Sequence, residues 1–149
     1  MNESVDYESM LLHLHMDEHD QDAKQLQNNI FMLGYRQDVN ELINISYKMK
    51  KNNSRLVQIC CTSLKERYIL NYSFAKDYDF YNYKIAIDIN DEIPSISCIF
   101  KAAYLYENEM KDLFGININN MDIDYSGHLY NLRNKTPYKI NEVNKKEEQ

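Results

Sequence analysis

The chain has few of the residues that punctuate irregular or repetitive folds. Three glycines and two prolines among 149 residues exclude collagen-like and low-complexity compositions. The glycines, Gly34, Gly115 and Gly127, stand far apart, so no glycine-rich loop is present to cradle a phosphate. Cysteine is scarce too: Cys60 and Cys61 are adjacent and Cys98 is distant. Such an odd set is no disulfide framework, fits a reducing compartment, and falls short of the usual four thiolates of an iron–sulfur cluster. No run approaches the ~18 apolar residues of a membrane span, and the acidic start MNESVDYESM lacks the basic region of a secretory signal. A cytoplasmic location is therefore expected. Positive charge is in deficit, with 17 Lys plus Arg against 23 Asp plus Glu and a net charge of -6, which argues against nucleic acid or anionic lipid as partner.

What is present fits a folded domain. Hydrophobic residues make up 44% and charged residues 27%, and a chain of this length can bury about two-thirds of its unfolded surface. Polar, amide-rich ends mark residues 1–28 and 141–149 as tails, leaving 29–140 as the domain. Within the first tail, His13, His15 and His19 stand among Asp17, Glu18 and Asp20, residue types that ligate zinc or nickel. Nothing downstream supplies a second half for such a site.

Two periods organise the domain. Val39, Leu42, Ile43, Ser46 and Met49 recur at helical spacing after Asp38, which has capping-box spacing to Glu41, and the helix ends near Lys51. A short strand is expected over residues 29–33. Three segments then alternate with a period of two. The first, Arg55 to Thr62, sets Val57, Ile59 and Cys61 against Leu56, Gln58 and Cys60. The second sets Tyr68, Leu70, Tyr72 and Phe74 to one face, and the third Tyr83, Ile85, Ile87 and Ile89. Short connections make these hairpins antiparallel. After Pro94, Ser95 or Ser97 is expected to cap a second helix that runs to Leu113 and is closed by Gly115. The expected class is α+β, with an antiparallel sheet of three or more strands packed in two layers with two main helices.

The second helix carries the acids of interest. Ile96, Ile99, Phe100, Ala103, Glu107, Met110 and Phe114 share one stripe, placing Glu107 at the margin of an apolar face with Lys111 four residues on. Glu109 and Asp112 lie three apart, and Asp112 is in the last turn, where the helix dipole disfavours an anion. An acid so placed points to demand from outside the helix.

These residues carry a resemblance. Pro94, Ser95, Ile96, Phe100, Ala103, Tyr104, Glu107, Glu109, Asp112, Leu113, Phe114, Gly115 and Ile116 stand in the register of a motif Pro-Ser-Ile, Phe, small, aromatic, Glu-Arg-Glu, Asp, apolar, Phe-Gly-Ile. The chain thereby resembles the 30 kDa subunit of respiratory complex I and the equivalent subunit of membrane-bound, energy-converting NiFe hydrogenases. The resemblance covers Val39 to Tyr138. Asn108 replaces the motif's central Arg, and the ending GHLYNLR is more similar to the short hydrogenase subunit. The resemblance implies a subunit with no cofactor, metal or catalytic residue of its own. Such a subunit supports a large catalytic subunit and a small iron–sulfur subunit in electron transfer, on the cytoplasmic face of the membrane. Glu107, Glu109, Asp112, Phe114 and Gly115 are the expected partner interface. The competing readings are a free-standing hydrolase using Cys98 and His128, and a metal-binding protein using the N-terminal histidines.

Overall fold

The computed structural model describes residues 24–27, 30–36 and 39–139, with side chains from residue 39 onward. Strands β1 (Lys24–Gln27) and β2 (Ile30–Arg36) precede helix α1 (Asn40–Lys51). Strands β3 (Arg55–Ser63), β4 (Arg67–Lys76), β5 (Asp79–Asp88) and β6 (Glu92–Pro94) follow, then helix α2 (Ala103–Phe114) and strand β7 (Asn117–Asn119). The five-stranded sheet has the order β1-β2-β5-β4-β3, and β6 pairs with β7 in a separate two-stranded sheet. The hairpins β3–β4 and β4–β5 are antiparallel as expected, whereas β2 lies parallel to β5. A parallel pair requires a crossover. Here α1 carries the chain from β2 to β3 at the far edge of the sheet.

The alternation in sequence becomes cross-strand rows. Ile59 opposes Tyr72, which opposes Tyr83, and Cys61 aligns with Leu70 and Ile85. Tyr68, Leu70, Tyr72, Phe74, Tyr83, Ile85 and Ile87 are all buried, forming one core with Leu42, Met49, Ile96, Phe100 and Met110 from outside the sheet. Such opposed aromatic and β-branched residues are the stabilising unit of an antiparallel sheet.

Four expectations change. A β-bulge interrupts β3 between Leu56 and Gln58, and an extra residue inverts the alternation before it. Leu56 therefore packs on the core with Ile59 and Cys61 in place of Val57. α1 begins after Val39 with no side-chain cap, and Asp38 lies outside the described residues. α2 begins at Ala103, not near Ser95 or Ser97, because those hydroxyls are engaged elsewhere and the chain reaches the helix through turns at Ile99, Phe100 and Ala103. Finally, β1 occupies the last part of the expected first tail, so strand pairing begins before residue 28; residues 1–23 and 140–149 lie outside the described residues.

The core also contains a buried Tyr72 hydroxyl with no hydrogen-bond partner among the described residues. Leu70→Ala is expected to cost ~2–5 kcal/mol by leaving a cavity. Tyr72→Phe should hold or raise stability, since it removes a polar atom left unsatisfied. Urea unfolding of the two variants checks both; a Tyr72→Phe loss as large as that of Leu70→Ala would mean the hydroxyl has a partner.

Candidate functional site

α2 is unusual in the polar groups it turns inward. Glu107, Asn108 and Asp112 are buried along with Ala103 and Met110. A buried polar atom is costly unless hydrogen-bonded, so the partners of these three groups define the site.

Glu107, 1% exposed, faces the turn before the helix. Its Oε2 accepts the Ser95 hydroxyl at 2.6 Å and its Oε1 the Ile96 amide at 2.8 Å. Ser95 Oγ lies 2.7 Å from Ser97 Oγ, which in turn accepts the Asp122 amide at 3.0 Å. One carboxylate thus ties α2 to the turn that delivers it and, through Ser97, to the segment beyond β7. Burial pushes the Glu107 carboxyl above the usual carboxylate range, and the bonds from Ser95 and Ile96 pull partly against that shift. The expected i to i+4 partner, Lys111, pairs instead with Asp124 at 2.6 Å and holds that carboxyl below its ordinary range.

Asn108, fully buried, stands where the resembled motif has Arg. Its Nδ2 donates to the carbonyls of Tyr104 at 2.7 Å and Ile123 at 2.8 Å, and its Oδ1 accepts the Tyr125 amide at 2.8 Å. A compact amide that both donates and accepts serves these positions; a guanidinium has no acceptor for the Tyr125 amide.

Asp112 and Glu109 share Tyr130. Asp112 Oδ2 accepts the Tyr130 amide at 2.8 Å and Glu109 Oε1 accepts the Tyr130 hydroxyl at 3.1 Å. The Tyr130 phenol is pushed up by that bond and by the charge of Glu109. Lys101 pairs with Asp122, the Tyr138 amide donates to the Leu113 carbonyl at 2.9 Å, and the Tyr68 hydroxyl caps the Phe114 carbonyl at 2.8 Å. Gly115 ends the helix at φ 74°, where a Cβ would meet Thr136 Cγ2 at 2.9 Å. The segment from residue 120 to 139, which has no helix or strand of its own, is therefore fastened to α2 from Asn108 to its C-terminal end and, through Lys101, to the turn before it.

That fastening leaves large apolar side chains outside. Ile123, Tyr125, Tyr130, Leu132 and Tyr138 are all exposed, Tyr138 by 57%, on a segment whose backbone is held by side chains of the helix.

The expected site residues divide accordingly. Glu107 and Asp112 face inward and Gly115 is closed by Thr136, so they shape the surface; Glu109 and Phe114 are half-buried. Asp112 is not a surface acid at the helix end, as its sequence position suggests, because it accepts a loop amide. Cys98 and His128 are both exposed, and His128 Nδ1 lies 3.3 Å from the Tyr125 carbonyl and makes no hydrogen bond to Cys98. No nucleophile and base are paired there. Cys61, its thiol pushed up to about 12 by burial, stays protonated and unreactive. Among the described residues no three His, Cys, Asp or Glu side chains converge as a metal site; His13, His15 and His19 lie outside them. Sequence reasoning misses Asn108, Ser97 and Tyr130, for which the departure from Arg at position 108 is the available signal.

Two outcomes follow. Glu107→Ala strands the Ser95 hydroxyl and the Ile96 amide, at ~1–3 kcal/mol for each. Because the folded-state pKa of Glu107 is raised, its contribution is full below the unfolded value and is lost as pH rises through the folded one. The stability of the parent chain relative to Glu107→Gln should therefore fall as pH rises above the ordinary glutamate value of about 4.3, and a pH-independent difference in urea midpoint would contradict this. Asn108→Ala should speed proteolysis within 120–132 by freeing Ile123 and Tyr125, with a smaller effect on global Tm than Glu107→Ala; equal cleavage rates would contradict it.

No curated protein sequence matches the chain at a significant level. In fold it is similar to a chain of the membrane-bound sulfane sulfur reductase, an archaeal respiratory membrane complex, with a TM-score of 0.63 at 16% identity over 80% of this chain and 74% of that one. The family described as respiratory-chain NADH dehydrogenase, 30 Kd subunit, matches residues 34–137, a span that includes the helix motif, its Gly115 turn and all but the last two residues of the fastened segment. The chain belongs to the 30 kDa subunit family of respiratory-chain NADH dehydrogenase.

Proposed function

We propose that the chain is a non-catalytic, peripheral subunit of a membrane-bound energy-converting hydrogenase or complex I-like oxidoreductase. It supports the large catalytic subunit and the small iron–sulfur subunit and holds no cofactor itself. The observation that carries this reading is that exposed apolar side chains, from Ile123 to Tyr138, sit on a segment whose backbone is fixed in advance by α2. A preordered surface loses less conformational freedom on docking than a mobile one, which suits a subunit whose work is to hold others in place.

Other features support it. Family membership implies assembly with other subunits, and the three cysteines are too few and too scattered to hold a cluster. Among the described residues no helix is long and apolar enough to cross a membrane, consistent with attachment through the complex at its cytoplasmic face. The hydrogenase branch rests on the GHLYNLR segment.

Tagged chain purified from its native host should bring with it a large hydrogenase-like subunit and an iron–sulfur subunit, with hydrogen-dependent dye reduction in the eluate. Ile123→Ser with Leu132→Ser should reduce their recovery severalfold while leaving Tm within a few degrees, because both side chains already face water. Recovery of the chain without such subunits would overturn the proposal, and undiminished recovery with the double variant would remove the segment from the interface.

A further inference from the structure

A second surface lies on the other side of Glu109. A groove of about 390 Å³ runs between β3 and α2, walled by Ile59, Tyr106, Met110, Leu113, Phe114 and Tyr138. Its β3 wall consists of five successive residues, 57 to 61. Alternate side chains of a strand point to opposite faces, so five in succession mean that the wall is the edge of the strand. β3 is the last strand of the sheet. On its outer edge the Val57 carbonyl accepts the Tyr106 hydroxyl at 3.0 Å, and no other strand pairs with it among the described residues.

The groove contains one charged side chain, Glu109. Among the described residues no cation pairs with it: its hydrogen bond comes from the neutral Tyr130 phenol, and Lys111 is committed to Asp124. Asp112, one turn further on, likewise has no ion pair, and its Oδ1 has no hydrogen-bond partner. Asp112 stands in the last turn, at the negative end of the α2 dipole. Among the described residues the site thus combines an open strand edge, apolar and aromatic walls, and a negative charge with no ion pair.

We infer that this groove takes an extended segment of a partner subunit that pairs with the edge of β3 and lays one arginine or lysine against Glu109. Strand addition supplies backbone hydrogen bonds and pockets for alternate side chains supply selectivity. The aliphatic stem of a basic residue covers apolar wall while its head meets the carboxylate, and the rings of Tyr106, Phe114 and Tyr138 favour a cation nearby. The inference rests on the subunit reading above and adds to it the chemistry of one contact.

The test uses the full chain and a defined probe, an acetylated and amidated peptide Thr-Val-Thr-Arg-Thr-Val-Thr, together with its isostere bearing citrulline for arginine. Amide NMR should show saturable shifts in Gln58 to Cys61 and in Glu109 to Phe114. The citrulline peptide, and the arginine peptide on Glu109→Gln, should each bind at least tenfold more weakly, with Tm unchanged by the substitution. Absence of saturable binding in the low millimolar range, or equal binding of the two peptides, overturns the inference. So does a concentration-dependent dimer that Glu109→Gln dissolves, which would place a second copy in the groove. In the native complex, Glu109→Gln should release the large subunit at least tenfold faster, while Glu66→Gln, on an exposed turn, should not. Equal release with the large subunit still captured would sink this contact and leave the subunit reading standing; failure of the parent chain to capture that subunit would sink the reading itself.

Discussion

Three polar side chains of α2 point into the protein, and each must find a partner there. Glu107 finds Ser95 and Ile96, Asn108 finds Ile123 and Tyr125, and Asp112 finds Tyr130. Because the partners of Asn108 and Asp112 belong to a segment without regular structure, the helix substitutes for the missing ladder: its side chains satisfy backbone groups that a strand or helix would satisfy internally. The positions of the exposed apolar side chains from Ile123 to Tyr138 depend on this arrangement. Were α2 uniformly apolar on its inner side, the chain after β7 would have little to hold it.

The same inward turn explains the electrostatics. Lys101 and Lys111 are matched to Asp122 and Asp124, so the basic residues of this region also serve to fasten the segment. Among the described residues Glu109 and Asp112 are left facing a neutral tyrosine. Local neutralisation thus stops short near the helix C-terminus, where the backbone adds negative potential. A structural demand, the fastening of a loop, leaves behind a chemical feature suited to a basic partner.

The sheet is legible in the sequence because the large apolar side chains gather on one face and small or polar ones, Asn71, Ser73 and Ala86 among them, alternate with them, which stamps a period of two on Tyr68 to Phe74 and on Tyr83 to Ile87. The bulge at Val57 is not legible, since an extra residue leaves composition unchanged and only inverts phase. Sequence places the start of α2 too early because serine hydroxyls that commonly cap helices are drawn here to Glu107 and Asp122. It does mark Glu107 as an acid in need of a partner, but the partners stand eleven and twelve residues upstream, in Ile96 and Ser95, and not at Lys111 on helical spacing. Side-chain to backbone contacts such as those of Asn108 carry no period at all, so the fastened segment is invisible until the fold brings it onto the helix.

The central claim, that α2 fixes the segment before any partner arrives, is tested most directly by hydrogen exchange of the isolated chain. The amides of Asp122, Tyr125 and Tyr130 donate to Ser97 Oγ, Asn108 Oδ1 and Asp112 Oδ2. They should exchange roughly a hundredfold or more slowly than those of Ile123 and Leu132 in the same segment. Exchange of all five at the rate of an unstructured peptide would show that the surface forms only on assembly and would contradict the account.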